Sequence, residues 1–183
     1  MMRSKNVLVL LSGGIDSSAL IYYYKSLSFT VKAMFVDYGQ PAAIAEKVSA
    51  VKISEYYDVE LLTIQLGFSI KLIGFEYSMR NALLINTALS YETDSYNLLA
   101  LGIHSGTSYY DCSEEFINCY QRIIDGHFSG KVNLDAPFIN LDKAEVYKYA
   151  KSINLPVNYT FSCENSSNIA CNVCPSCKDR VRY

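Results

Sequence analysis

Residues 6–11 (NVLVLL) run directly into Ser12-Gly13-Gly14-Ile15-Asp16-Ser17, and this junction constrains the fold more than any other stretch. An unbroken run of Val and Leu suits a strand buried on both faces, as inside a parallel sheet. Two successive glycines let the backbone turn tightly and come close to a neighbour. After them Leu20, Ile21 and Tyr24 recur at helical spacing, from Asp16 to about Ser26. The alternation continues down the chain. Strands are expected at 30–36 (TVKAMFV), 59–65 (VELLTIQ), 97–103 (NLLALGI) and, short, at 132–136. Helices are expected at 42–57 after Pro41, at 81–94, at 113–125 with Ser113 as cap, and at 141–152 with Asn140 as cap. Residues 67–79 have no clean period and read as a loop crossing the top of the sheet. The predicted fold class is α/β, a doubly wound parallel sheet with helices on both faces. The 183 residues suit one domain.

Half of the residues are apolar, enough for a sizeable core, and the net charge is -2. That balance argues against a basic protein that coats nucleic acid. It leaves room for a small anionic ligand held by local groups. The longest apolar run near the start, 7–11, is far too short to span a bilayer or to act as a signal-peptide core. A soluble, cytoplasmic protein without a membrane partner is expected.

The loop at 12–17 sits where such sheets bind ligands, beyond the carboxyl end of a strand. A turn running into a helix leaves several N–H groups free, and the helix dipole favours an anion there. Ser12, Ser17 and Ser18 add hydroxyls, so the loop suits a pyrophosphate. It is not a Walker A loop, for Gly-Lys-Ser/Thr is absent, nor the GxGxxG loop of dinucleotide-binding folds. A Walker lysine serves transfer of the terminal phosphoryl group. A loop lacking it can hold the leaving pyrophosphate when attack falls on the α-phosphorus. The plainer reading is an ordinary strand-to-helix turn with Asp16 as helix cap. The whole SGGxDS string favours nucleotide binding, with Leu11, Ser12, Gly13, Gly14, Ile15, Asp16, Ser17, Ser18, Ala19, Leu20 and Ile21 as the ATP-binding segment.

Near the other end, Cys163, Cys171, Cys174 and Cys177 are spaced C-x7-C-x2-C-x2-C. Four thiolates make a tetrahedral Zn²⁺ site, and with all four positions filled the metal is structural. An iron–sulfur cluster is the alternative, weakened by the place of Pro175 within the run. Disulfides do not suit the cytoplasm. The zinc-binding segment is taken as 163–180.

The two motifs together resemble the PP-loop ATP pyrophosphatases and, within them, the 7-cyano-7-deazaguanine synthase (QueC) family of the queuosine pathway. The resemblance covers nearly the whole chain. Asp37-Tyr38-Gly39-Gln40 looks like that family's YGQ segment, Arg80-Asn81 like its arginine–asparagine pair, and Tyr110-Asp111-Cys112 like its Tyr-Pro-Asp-Cys segment. Leu141, Lys143, Ala144 and Glu145 fit a helix start common in PP-loop enzymes. Departures fall on loops expected around the acceptor. Pro41-Ala42 replaces a basic pair, Ser113 replaces an arginine, Tyr77-Ser78-Met79 precedes Arg80, and His104-Ser105-Gly106-Thr107 lacks a carboxylate.

The resemblance implies a carbon–nitrogen ligase that uses ATP, Mg²⁺ and Zn²⁺. Its substrates would be 7-carboxy-7-deazaguanine and ammonia, and its product 7-cyano-7-deazaguanine. Asp16, Ser17, Arg80 and Asp111 are the candidate catalytic residues. Arg80 suits a phosphate or the acceptor carboxylate, and Asp111 the N–H edge of a purine-like ring. Asn81 reads equally as an N-cap, His104 as a packed loop histidine, and Lys143 with Glu145 as a helix-face pair. A homo-oligomer is expected. Two other readings stay open. One is a ligase that stops at the amide, perhaps on a protein amine in antiphage defence. The other is an inactive nucleotide- or RNA-binding module, suggested by the basic tail Lys178, Arg180 and Arg182.

Overall fold

The computed structural model describes residues 5–73, 76–91, 95–165 and 169–182. The first strand, β1 (Asn6–Leu10), leads through the glycine loop into α1 (Ile15–Ser26). Then come β2 (Thr30–Asp37), α2 (Ala43–Tyr57) and β3 (Glu60–Gln65). The stretch expected to be a plain loop folds back on itself as a small antiparallel hairpin, β4 (Leu72–Ile73) and β5 (Glu76–Tyr77). Helix α3 (Arg80–Tyr91) returns the chain to β6 (Leu98–Leu101); positions 92–94 of the expected helix lie outside the described residues. A 3-10 turn at Tyr110–Cys112 precedes α4 (Glu114–Phe128), β7 (Asn133–Asp135) and α5 (Lys143–Ser152). A second 3-10 turn, Val157–Tyr159, leads toward α6 (Pro175–Arg182).

The five main strands form one parallel sheet in the order β3-β2-β1-β6-β7. The winding reverses between β1 and β6, so the loops after these two strands open the crevice where such sheets take ligands. Side chains alternate across the sheet. Leu8, Leu10, Met34, Leu99 and Leu101 face α3 and α4, with Ile85 and Phe116 packed on them. Val7, Val9, Ala33 and Phe35 face α1, α2 and α5, against Leu20, Ile53 and Val146. The doubly wound sheet read from the sequence is the observed one.

Caps set the helix ends. The Ser113 side chain accepts from the Phe116 N–H, as expected. For α5 the cap is Asp142 rather than Asn140. Asp142 accepts from the Glu145 N–H while the Glu145 carboxylate accepts from the Asp142 N–H, a reciprocal capping box. Asn140 instead donates to Glu114 at 2.8 Å. No described helix is long and apolar enough to cross a membrane.

Two glycines differ in what surrounds them. A Cβ at Gly102 would lie 2.7 Å from the Ser17 nitrogen, whereas Gly126, exposed in α4, has nothing within 4 Å. Gly102→Ala should therefore cost about 1–3 kcal/mol through backbone displacement, and Gly126→Ala should add about 0.5–1 kcal/mol of helix stability. Urea titration of the two variants checks the opposite signs.

Candidate active site

The glycine loop is shaped by its own hydroxyls. Ser17 Oγ accepts from the Ser12 N–H and lies 3.0 Å from Ser12 Oγ, which in turn accepts from the Gly14 N–H. Gly13 has φ of 80°, and a Cβ there would meet the Glu46 carbonyl oxygen of α2 at 2.6 Å. Glycine is required on both counts. Helix α1 begins after Gly14 with no side-chain cap. Its first-turn N–H groups have no partners within the helix, which suits an anion.

Asp16 is thus not the cap. Its carboxylate takes Lys143 of α5, with Nζ at 2.7 and 3.1 Å from the two oxygens. Lys143 also lies 5.6 Å over the Tyr147 ring. The helix-face pair of Lys143 with Glu145 is not formed, because the capping box takes Glu145. Lys143 therefore brings to the phosphate loop the cation that the loop's own sequence lacks. Leu11, Ala19, Leu20 and Ile21 belong to the core beneath the loop, so their side chains support residues 12–17 from behind. Ser18 Oγ is buried with no hydrogen-bond partner among the described residues.

The loop after β6 closes over the same place. Gly102 abuts Ser17, and both the Ser105 N–H and hydroxyl donate to the Leu141 carbonyl just before α5. Buried His104 accepts from the Gly106 N–H through Nδ1 at 3.0 Å. Burial, with nearby Lys143, holds its pKa below the ordinary histidine value despite Asp16 and Asp179. It is the packed loop histidine expected.

Arg80 and Asp111 meet at the start of α3. The Asp111 carboxylate accepts the Asn81 N–H at 3.1 Å, and Asn81 Nδ2 donates to the Asp111 carbonyl at 2.9 Å. Asp111 thereby caps α3 from across the fold, and Asn81 lies inside the helix rather than at its N-cap. Burial works against the charge of Arg80, but Tyr38, Asp111 and Cys112 more than offset it. The Tyr38 hydroxyl is hydrogen-bonded to Arg80, and burial pushes its pKa up to about 12. Beneath them Gln40 accepts from the Tyr38 N–H and donates to Glu46 at 2.7 Å. Burial raises the Glu46 carboxyl while Gln40 and Arg80 oppose the rise. Glu46 is a site residue that sequence reading missed; its only signal is a place in the first turn of α2, after the YGQ segment.

The four cysteines converge. Their sulfurs all lie within 4.8 Å of one another, near the separation of about 3.8 Å that a tetrahedron of 2.3 Å Zn–S bonds requires. Cys171 and Cys177 are 4.0 Å apart, too far for a disulfide. Backbone N–H groups of Cys171, Cys174 and Cys177 donate to the sulfurs of Cys163, Cys171 and Cys174. Bonds from Val173 and Cys174 bring the Cys171 thiol down to about 6, whereas burial and neighbouring sulfurs push Cys177 up to about 12. Four thiolates this close need a cation among them, and zinc fits the donor set. Positions 166–168 of the segment lie outside the described residues.

A family model described as queuosine biosynthesis protein QueC matches residues 6–78 and 74–182. A 7-cyano-7-deazaguanine synthase from Coxiella burnetii is 30% identical, covering 97% of this chain and 92% of the relative. One from Methanospirillum hungatei is 29% identical, covering 94% and 91%. Among solved structures, NMN synthetase from Francisella tularensis matches with a TM-score of 0.54 at 18% identity, over 91% of this chain and 71% of the other. An NH3-dependent NAD synthetase from Campylobacter jejuni gives 0.53 at 22%, over 86% and 67%. At these identities the structures speak for the fold alone.

Metal analysis of purified protein should find one zinc per chain, with a four-sulfur shell by X-ray absorption; iron with visible charge-transfer bands would overturn the assignment. At the phosphate loop, Lys143→Ala strands Asp16 half-buried without its partner and is expected to lower stability by about 1–3 kcal/mol. Lys143→Ala/Asp16→Asn should recover most of that loss, as read by chemical denaturation.

Proposed function

The chain belongs to the QueC family of queuosine biosynthesis proteins, and on that premise we propose that it uses ATP to convert 7-carboxy-7-deazaguanine and ammonia into 7-cyano-7-deazaguanine. The observation that carries this reading is the meeting of loop 12–17 with Lys143 at the crevice between β1 and β6. Oxygen of the substrate carboxylate attacks the α-phosphorus of ATP, and pyrophosphate leaves. Ammonia then displaces AMP from the acyl adenylate to give an amide. A second ATP adenylates the amide oxygen, and loss of AMP with a proton from nitrogen leaves the nitrile.

Each of the two adenylations develops negative charge on the departing pyrophosphate. The uncapped N–H groups of α1 and the hydroxyls of Ser12 and Ser17 receive that charge, and Lys143 neutralises part of it. Arg80, with its planar fork, suits the acceptor carboxylate. Asp111 acts through Asn81 by holding the start of α3, so its part is positioning. Magnesium would enter with ATP on the phosphates. Lys143 occupies both Asp16 oxygens, so Asp16 serves to orient the lysine. In this reading the whole chain acts as one cytoplasmic unit, with 163–180 as its zinc-bound brace.

Incubation with 7-carboxy-7-deazaguanine, ATP-Mg and ammonia should yield the nitrile with release of AMP and pyrophosphate, followed by mass spectrometry and nucleotide chromatography. An amide as the only product would sink the synthase reading in favour of a ligase. Ser17→Ala is expected to lower kcat/KM for ATP by about 10- to 100-fold while zinc content stays unchanged.

A further inference from the structure

In the basic tail of the zinc segment, Lys178 and Arg182 are exposed but Arg180 is not. From α6, Arg180 turns inward: Nη1 donates to Thr160 Oγ1 at 2.9 Å and Nη2 to the Val157 carbonyl at 2.5 Å. Thr160 is buried and its hydroxyl itself donates to the Val157 carbonyl at 2.8 Å. The guanidinium fork thus locks the turn Val157–Tyr159 onto the zinc helix. The next residue, Phe161, donates its N–H to the Gly13 carbonyl at 2.9 Å, and the Phe161 side chain packs on the cysteine cluster. The first ligand, Cys163, follows two residues later.

This bond matters because of where Gly13 lies. Carbonyl and N–H of one trans peptide point in opposite directions. Drawing the Gly13 oxygen toward Phe161 therefore turns the Gly14 N–H the other way, where Ser12 Oγ accepts it. At φ of 80° Gly13 is free to adopt other conformations. A flipped 13–14 peptide would carry a carbonyl oxygen to the side now holding the N–H, and a carbonyl oxygen repels an anion. We propose that Arg180 is a positioning residue for the phosphate loop: through Thr160, Val157 and Phe161 it fixes the 13–14 peptide in its anion-binding orientation. The inference rests on the loop's assignment to pyrophosphate but not on the identity of the acceptor.

The test compares wild type, Arg180→Ala and Arg180→Lys by calorimetry with two probes, inorganic pyrophosphate and adenosine, after zinc has been quantified in each. In zinc-replete Arg180→Ala, pyrophosphate affinity should fall about tenfold or more while adenosine affinity stays within about twofold. Arg180→Lys keeps the charge but cannot hold both acceptors, and should fall between. Equal weakening of both probes would mean general loosening and overturn the proposal, as would unchanged pyrophosphate affinity. Should Arg180→Ala lose its zinc, Phe161→Pro removes the N–H donor to Gly13 along with the ring on the cysteine cluster, and retained pyrophosphate affinity there overturns the proposal as well. A wild type that binds pyrophosphate yet makes no nitrile refutes the synthase reading and leaves this one standing.

Discussion

The close approach of three backbones to residues 12–17 is the constraint on which the rest of the molecule depends. Helix α2 lies against Gly13, with the Glu46 carbonyl where a Cβ would be. The end of β6 lies against Ser17 through Gly102. Phe161 holds the Gly13 carbonyl from the C-terminal segment. Backbone atoms leave no side chain to adjust, so each contact sets a distance that cannot relax cheaply. A loop that must present N–H groups to an anion benefits from such rigidity, because donors already in place need no reorganisation when charge appears.

Electrostatics follows from that geometry. Asp16 lies in the first turn of α1, where an unpaired carboxylate would repel an incoming phosphate. Lys143 cancels it and adds a mobile ammonium that can turn toward a ligand, which a lysine does more readily than a rigid fork. On the far side Arg80 is half-buried among Tyr38, Asp111 and Cys112. A fork held by neighbours suits recognition of a planar carboxylate. The two cations stand on different elements, α5 and α3, so in the proposed reading phosphate and acceptor charges are kept apart.

Features encoded locally were legible in the sequence. The run 6–11, its glycines and the alternation of strand and helix specify the parallel sheet because each depends on near neighbours in the chain. Cysteine spacing is similarly local. Contacts that join distant positions left no trace. Lys143 and Asp16 stand 127 positions apart, and nothing near Lys143 distinguishes a loop partner from the Glu145 two residues away. The cap that Asp111 provides for α3 was hidden in the same way, because its partner lies 30 positions away. Helix α6 escaped notice because it is short, polar and begins at a proline, with too few turns for a period to show. The inward turn of Arg180 was hidden too: three cations in five residues look alike until tertiary contacts single one out.

That inward turn bears on why a ligase of small molecules should carry a closed metal site. With four protein sulfurs around it, a zinc ion would have no open position for substrate or water, so its contribution would be mechanical. Helix α6 has eight residues, a length at which an isolated helix is marginal in water. Cys174 and Cys177 place its first turn in the four-sulfur cluster, and Arg180, three positions beyond Cys177, lies one turn further along nearly the same face. A metal held there would make a marginal helix firm enough to hold a charged fork against Val157 and Thr160. Those two residues lie just before Phe161, and Phe161 lies on Gly13. With a metal bound, stiffness supplied by four sulfurs would reach loop 12–17 through a single run of backbone, without the metal touching any reacting atom.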